Sequence, residues 1–159
     1  MTPSTSNRPA IFVDADACPS AIKDIVFRTA ERREIKTVVV ANQPIPIPRS
    51  EWIRRVTVRS GVDQADHAIV EMVSCGDIVI ADDVPLAARV IERQAVVIGS
   101  RGELFDEKNI YQRLATRDLM EQLRLSGMET AGPKPFQQKD VQAFANQLDR
   151  TLTKRLRAE

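Results

Sequence analysis

The sequence predicts a three-layer α/β sandwich, with a mostly parallel five-stranded sheet covered on both faces and helices added at the C-terminal end. Three observations carry this. Apolar runs alternate with helical patterns over roughly the first hundred residues. The runs IFV (11–13), TVVVA (37–41) and AVVIG (95–99) are continuous rather than alternating, as in strands buried on both faces. Pro19, Gly76 and Pro85 fall at the junctions, where helices start or stop.

The elements follow in order. Residues 1–9 are polar, carry two prolines and read as a loose tail. Ala10–Val13 reads as the first strand. Pro19 suits the first turn of a helix whose Ile22, Ile25, Val26 and Thr29 recur at helical spacing. Lys36–Ala41 is a β-branched second strand. NQPIPIPRS (42–50) has three prolines, which forbid both a helix and a central strand. Trp52–Arg59 is a third strand. Arg55, Thr57 and Arg59 are assigned to one face and Trp52, Val56 and Val58 to the other, a polarity that suits a sheet edge. Val62–Cys75 reads as a helix with Ala65, Ile69, Met72 and Val73 as its apolar stripe, ended by Gly76. Asp77–Ala81 is the fourth strand, Asp83–Gln94 a short helix and Ala95–Gly99 the fifth strand.

Beyond residue 103 the pattern becomes helix, loop, helix. In Lys108–Leu125, Tyr111, Ala115, Leu119 and Leu123 recur every four residues, with Arg113, Arg117 and Arg124 opposite; Ile110 and Leu114 blur that division. Val141, Phe144, Ala145, Leu148, Leu152 and Leu156 make a second stripe. These helices (about 104–156) are expected to pack on the α/β core, giving one domain over 10–159.

Composition bounds the function. The 159 residues include 43% hydrophobic and 28% charged, the balance of an ordinary globular chain. A net charge of +1 excludes a global basic field, so a nucleic-acid partner needs a local patch. Two cysteines, Cys18 and Cys75, are too few for a disulfide framework and lack CxxC spacing, which suits reduced thiols in the cytoplasm. No run is long enough to span a membrane.

The acids mark the chemistry. Asp14 and Asp16 follow the first strand, Asp63 and Asp66 open the helix after the third, and Asp82 and Asp83 follow the fourth. Ligands of open α/β sheets bind beyond the strand carboxyl ends, where strand order reverses. In an order 3-2-1-4-5, Asp14, Asp16 and Asp83 converge there and Asp66 reaches the same crevice. Clustered carboxylates repel one another, and a hard cation such as Mg²⁺ or Mn²⁺ offsets the repulsion. Several of these acids also have a simpler reading. Asp63 suits a helix cap, as does one of Asp82 and Asp83, and Asp14 and Asp16 suit turn chemistry. His67 and Glu71 lie one turn apart and read as a metal pair or a surface pair. Cys18 precedes a helix but lacks a phosphate-cradling arginine, so it reads as a packed thiol. Arg113, Arg117 and Arg124, with Arg49, Arg54, Arg55 and Arg59, could track a phosphate chain or form a solvated face.

Several blocks together carry a resemblance: VDADACP (13–19), VAN (40–42), GVDQADHAIVE (61–71), GDIVIADDVPLA (76–87), RGE (101–103), NI (109–110), RLATRDLMEQLR (113–124), GP (132–133) and FANQLDR (144–150). In this order they resemble the bacterial YaiI/YqxD family, which is grouped with PIN-like domains. Nuclease members of that group use a few acids around Mg²⁺ or Mn²⁺ to cut RNA. The resemblance implies Asp14 as the first such acid with Asp16 beside it, and Asp66 as the middle one, where nucleases often carry Glu. Asp83 of DVPL is implied as the late acid. Asp82 stands where the family often has no acid, and no clear fourth acid follows strand four.

The resulting expectation is a Mg²⁺- or Mn²⁺-dependent nuclease of single-stranded RNA. Asp14, Asp66 and Asp83, with Asp82 nearby, hold the metal, and Asp16 aligns water. Arg113, Arg117, Arg124, Arg55 and Arg59 are the candidate RNA contacts. Two alternatives stand beside it. One is a phosphatase using Asp14-x-Asp16 as nucleophile and acid, against which Cys18 replaces an expected Thr or Val and no suitable lysine precedes the late acids. The other is a non-catalytic RNA- or partner-binding module.

Overall fold

A computed structural model describes residues 8–61, 63–130, 132 and 134–157. Val62, taken above as a helix start, Pro133 and most of the N-terminal tail lie outside them. The strands are β1 (Ile11–Asp14), β2 (Thr37–Ala41), β3 (Ile53–Thr57), β4 (Ile78–Ile80), β5 (Val96–Ile98) and β6 (Leu104–Phe105). The helices are α1 (Ser20–Arg33), α2 (Gln64–Met72), α3 (Val84–Glu92), α4 (Ile110–Leu125) and α5 (Gln138–Arg157).

The sheet runs β3-β2-β1-β4-β5-β6. Strands β1 to β5 pair in parallel in the order anticipated from sequence. Beyond them lies an unanticipated strand, β6, antiparallel to β5 through Val97–Phe105 and Ile98–Leu104. Two residues are too few to show a strand period.

Alternating side chains divide the core in two. Ile11, Val13, Val39 and Ile80 face α1 and α5, where Ile22, Val26, Phe144, Leu148 and Leu152 complete one cluster. Phe12, Val38, Val40, Val79 and Val97 face α2, α3 and the start of α4, meeting Ile69, Leu86, Val90 and Ile110. Helix α5 therefore closes one face of the sheet, and its stripe is the one read from sequence. In the turn between β5 and β6, which packs against α5, Gly102 has φ +89, and a Cβ there would stand 2.7 Å from the Ala143 carbonyl carbon.

Two sequence assignments need correction. Ile53 is the buried residue of the edge strand, and Trp52, in the turn before β3, packs with the α1/α5 cluster while Val56 and Val58 pack with the other. Trp52 thus does not share a face with the two valines, because the strand period begins only after it. In α4, Ile110 and Leu114 face the core, whereas Tyr111 is 75% and Leu119 is 55% exposed. The four-residue repeat marks a helix face correctly. It does not say which apolar face meets the core, and here Ile110 is docked against the cluster around Phe105.

Candidate metal centre and flanking groove

The reversal in strand order falls between β1 and β4, since the chain crosses to β2 and β3 before returning to β1's other side. Asp14, Asp16, Asp82 and Asp83 sit at this point because they come at the ends of β1 and β4, buried strands that can carry no charge until they leave the sheet. Asp14 ends β1, and a short turn at Ala15–Ala17 carries Asp16. Asp82 and Asp83 follow β4, and Asp66 lies in the first turn of α2.

Each acid has a distinct environment. Asp16 Oδ2 accepts the Asn42 backbone N–H at 2.8 Å, tying the turn after β1 to the end of β2. Asp82 accepts the Ser100 backbone N–H at 2.8 Å and the Ser100 hydroxyl at 2.6 Å, so both oxygens are engaged by the loop after β5. Asp83 caps α3 by accepting the Leu86 N–H at 3.0 Å. This is the one member of the pair expected to be a cap. Asp63 occupies the residue before α2 with φ +64 but makes no side-chain capping bond.

Asp14 is different. Its carboxyl is pushed from 3.8 to about 6 by burial first, and then by repulsion from Asp66, Asp83, Asp16 and Asp82. Asp66 is also raised, by burial and by Asp83 and Asp63, with Arg89 and His67 opposing. The carboxylates of both strand ends and α2 therefore act on one another, as an order with β1 beside β4 requires. A small cavity of ≈ 120 Å³ lies against Asp14, Asp82, Asp83, Cys18 and Ser100.

The other expectations resolve as follows. Cys18 is packed, and burial pushes its thiol up to about 12, so it stays protonated at neutral pH and is no nucleophile. His67 Nδ1 lies 3.0 Å from the Arg89 guanidinium instead of forming a pair with Glu71. A larger groove of ≈ 640 Å³ shares Asp82 and Ser100 with the small cavity and is lined further by Arg101, Arg113, Thr116, Arg117 and Phe136. Arg113 and Arg117 thus line a groove beside the acids. Arg124 does not; it pairs with Glu121 at 2.6 Å. Arg55 donates to the Ile45 carbonyl on the β3 edge, and Arg59 follows that strand, both outside the groove.

Sequence reasoning gave no site role to Ser100, Arg101, Glu103 or Phe136, the RGE run at Arg101–Glu103 being too short to count as a phosphate loop. A Cβ on Gly99 would lie 3.0 Å from both Asp82 Oδ1 and Glu103 Oε1, so Glu103 brings a further carboxylate to the rim of the crevice. The available signal was position: GSRGE follows the fifth strand, at the same sheet edge as the acids. Phe136 left no signal, because nothing local connects it to the crevice.

The donors fit a hard cation in kind, being oxygen-only, acidic and mutually repelling. Among the described residues, no three His, Cys, Asp or Glu side chains form a ready-made cage for a metal ion. Any ion here would keep part of its water shell, as Mg²⁺ commonly does.

Fold and crevice together define a doubly wound α/β protein with an acidic cluster at the switch point of its parallel sheet. The model of the family described as "Uncharacterized BCR, YaiI/YqxD family" matches residues 12–154, and the chain belongs to that family. It is 54% identical over 147 residues to a UPF0178 protein of Marinomonas sp. (strain MWYL1), covering 92% of this chain and 99% of the relative. A UPF0178 protein of Dechloromonas aromatica (strain RCB) is 53% identical over 144 residues, 91% of this chain and 96% of the relative. One from Shewanella amazonensis (strain ATCC BAA-1098 / SB2B) is 52% identical over 144 residues, 91% and 97%. No solved structure matches the chain. Among the described residues no helix is long and apolar enough to cross a membrane.

Proposed function

We propose that the chain is a divalent-cation-dependent nuclease that cuts single-stranded RNA at the acidic crevice. The observation that carries this reading is the gathering of Asp66, Asp83, Asp16 and Asp82 around Asp14, whose carboxyl is raised to about 6 by burial first and by their repulsion second. A cluster that disfavours its own charge is a site at which an added cation gains most. Asp14, Asp66 and Asp83 would hold Mg²⁺ or Mn²⁺. A bound ion of this type polarises a phosphoryl oxygen, lowers the pKa of water and stabilises the leaving oxygen.

The chain's own groups have separate tasks. Asp16, fixed through Oδ2 by Asn42, keeps Oδ1 to align a water. Asp82 holds the Ser100 loop in place, which makes it a positioning residue. Arg113 and Arg117 supply positive charge along the groove. Arg113 is only loosely paired with Glu103, at 3.8 Å, so a phosphate can compete for it. The resemblance to PIN-like nucleases supports the same assignment of Asp14, Asp66 and Asp83.

The test is Mn²⁺ binding by calorimetry, followed by cleavage of a labelled single-stranded RNA. Wild type should bind the ion and cut. Asp14→Asn combined with Asp83→Asn should lose both, and Asp14→Asn alone should retain RNA while losing cleavage. Undiminished cleavage by Asp14→Asn overturns the assignment. A second reading, an RNA-binding module without catalysis, is favoured by the lack of a preformed metal cage among the described residues. It predicts salt-dependent RNA binding that survives removal of the acids.

A further inference from the structure

Six large apolar side chains are strongly exposed among the described residues, all between Tyr111 and Phe136, and Phe136 is the one that lines the groove beside the acids. Phe136 is 36% exposed although the backbone around it is pinned. Arg101 donates to the Lys134 carbonyl two residues before it, and Asp140 accepts the Gln137 N–H at 2.9 Å just after it. Arg101 and Asp140 are themselves paired at 3.3 Å. The Arg101 guanidinium carbon lies 5.7 Å from the ring centroid. An aromatic ring held this firmly, yet left open to a groove, loses little freedom when a flat ligand stacks on it. The same groove is lined by Asp82 and Ser100 and by Arg113 and Arg117. Cations along a track with an aromatic ring beside it are the elements that bind single-stranded nucleic acid.

We propose that Phe136, backed by Arg101, is a stacking platform for one unpaired base of an RNA strand whose phosphate lies at the acidic crevice. The proposal rests on the nuclease reading and adds a reason for strand selection. A base inside a duplex is already stacked and cannot reach the ring, whereas an unpaired base can. The platform accepts any base, because every base presents a π-face.

The experiment measures fluorescence anisotropy of a labelled single-stranded RNA and its duplex. Both are titrated with wild type, Phe136→Leu and Phe136→Tyr, each in an Asp14→Asn background so that the strand stays intact. Leu keeps an apolar side chain of similar bulk, and the half-exposed site tolerates it; a thermal melt checks the fold of each variant. Phe136→Leu should weaken single-strand binding roughly five- to a hundredfold, and Phe136→Tyr should restore it to within about twofold. The duplex should bind less well than the single strand and should be insensitive to the change. Single-strand binding unchanged in Phe136→Leu, or an equal loss for the duplex, overturns the platform and leaves the nuclease reading standing. If the parent protein, with Asp14 intact or replaced, binds no single strand, both fall together.

Discussion

Replacing Asp14 by Asn should make the protein more stable at neutral pH, although it removes the residue placed at the centre of the site. In the folded chain the carboxyl rises from 3.8 to about 6. Folding therefore disfavours its ionised form, at about 1.4 kcal/mol per pKa unit, or about 3 kcal/mol in full. The group is only part-buried, so solvent screening reduces this to roughly 1–2 kcal/mol. The sign follows from linkage. Between 3.8 and about 6 the folded state binds more protons than the unfolded one, so stability falls as pH rises through that window. Above it the whole cost is present, and below it none. Asn carries no charge at any pH, so the gain should be complete at pH 7.5 and fall to about a third of that at pH 4.5. Urea unfolding followed by Trp52, the single tryptophan and half-buried against the core, reads both values. A gain of the same size at both pH values would mean better packing rather than removal of a buried and repelled charge, and no gain at pH 7.5 would refute the electrostatic account of the crevice.

Three further substitutions test other links in the structure. Asp83→Ala removes the cap on α3 and should be about 1 kcal/mol less stable than Asp83→Asn, which keeps an oxygen for the Leu86 N–H; equal midpoints in urea would show that the cap contributes nothing. Gly102→Ala should cost about 3 kcal/mol, since φ +89 strains an L-residue and the new Cβ meets the Ala143 carbonyl at 2.7–2.8 Å; its thermal midpoint falling by less than a few degrees would mean that α5 can shift away. Leu119→Ser should change stability by no more than about 0.5 kcal/mol, whereas Leu148→Ala should cost about 2–5 kcal/mol; a large loss at Leu119 would place that helix face against something in solution.

The sequence by itself determined the layer structure, because continuous apolar runs and their Pro and Gly boundaries are local properties. The runs at 11–13, 37–41 and 95–99 are short and rich in Val and Ile, which suits strands covered on both faces, and the stripe from Phe144 to Leu152 has one polar and one apolar side. It also marked the acids, since an aspartate directly after a buried strand stands out against its neighbours. Which acids act on one another was another matter. Asp14 and Asp83 are 69 residues apart in the chain, and only the pairing of β1 with β4 brings their strand ends together. The roles of Asp82 and Asp83 likewise depended on partners, one on Ser100 across the sheet and the other on Leu86 three residues on. The α4 stripe shows the same limit from the other side. Its four-residue repeat was legible, but its direction was set by where Ile110 docks. The groove lined by Phe136 and Asp82 joins residues from five separate segments, and their proximity is a product of packing that no local pattern encodes.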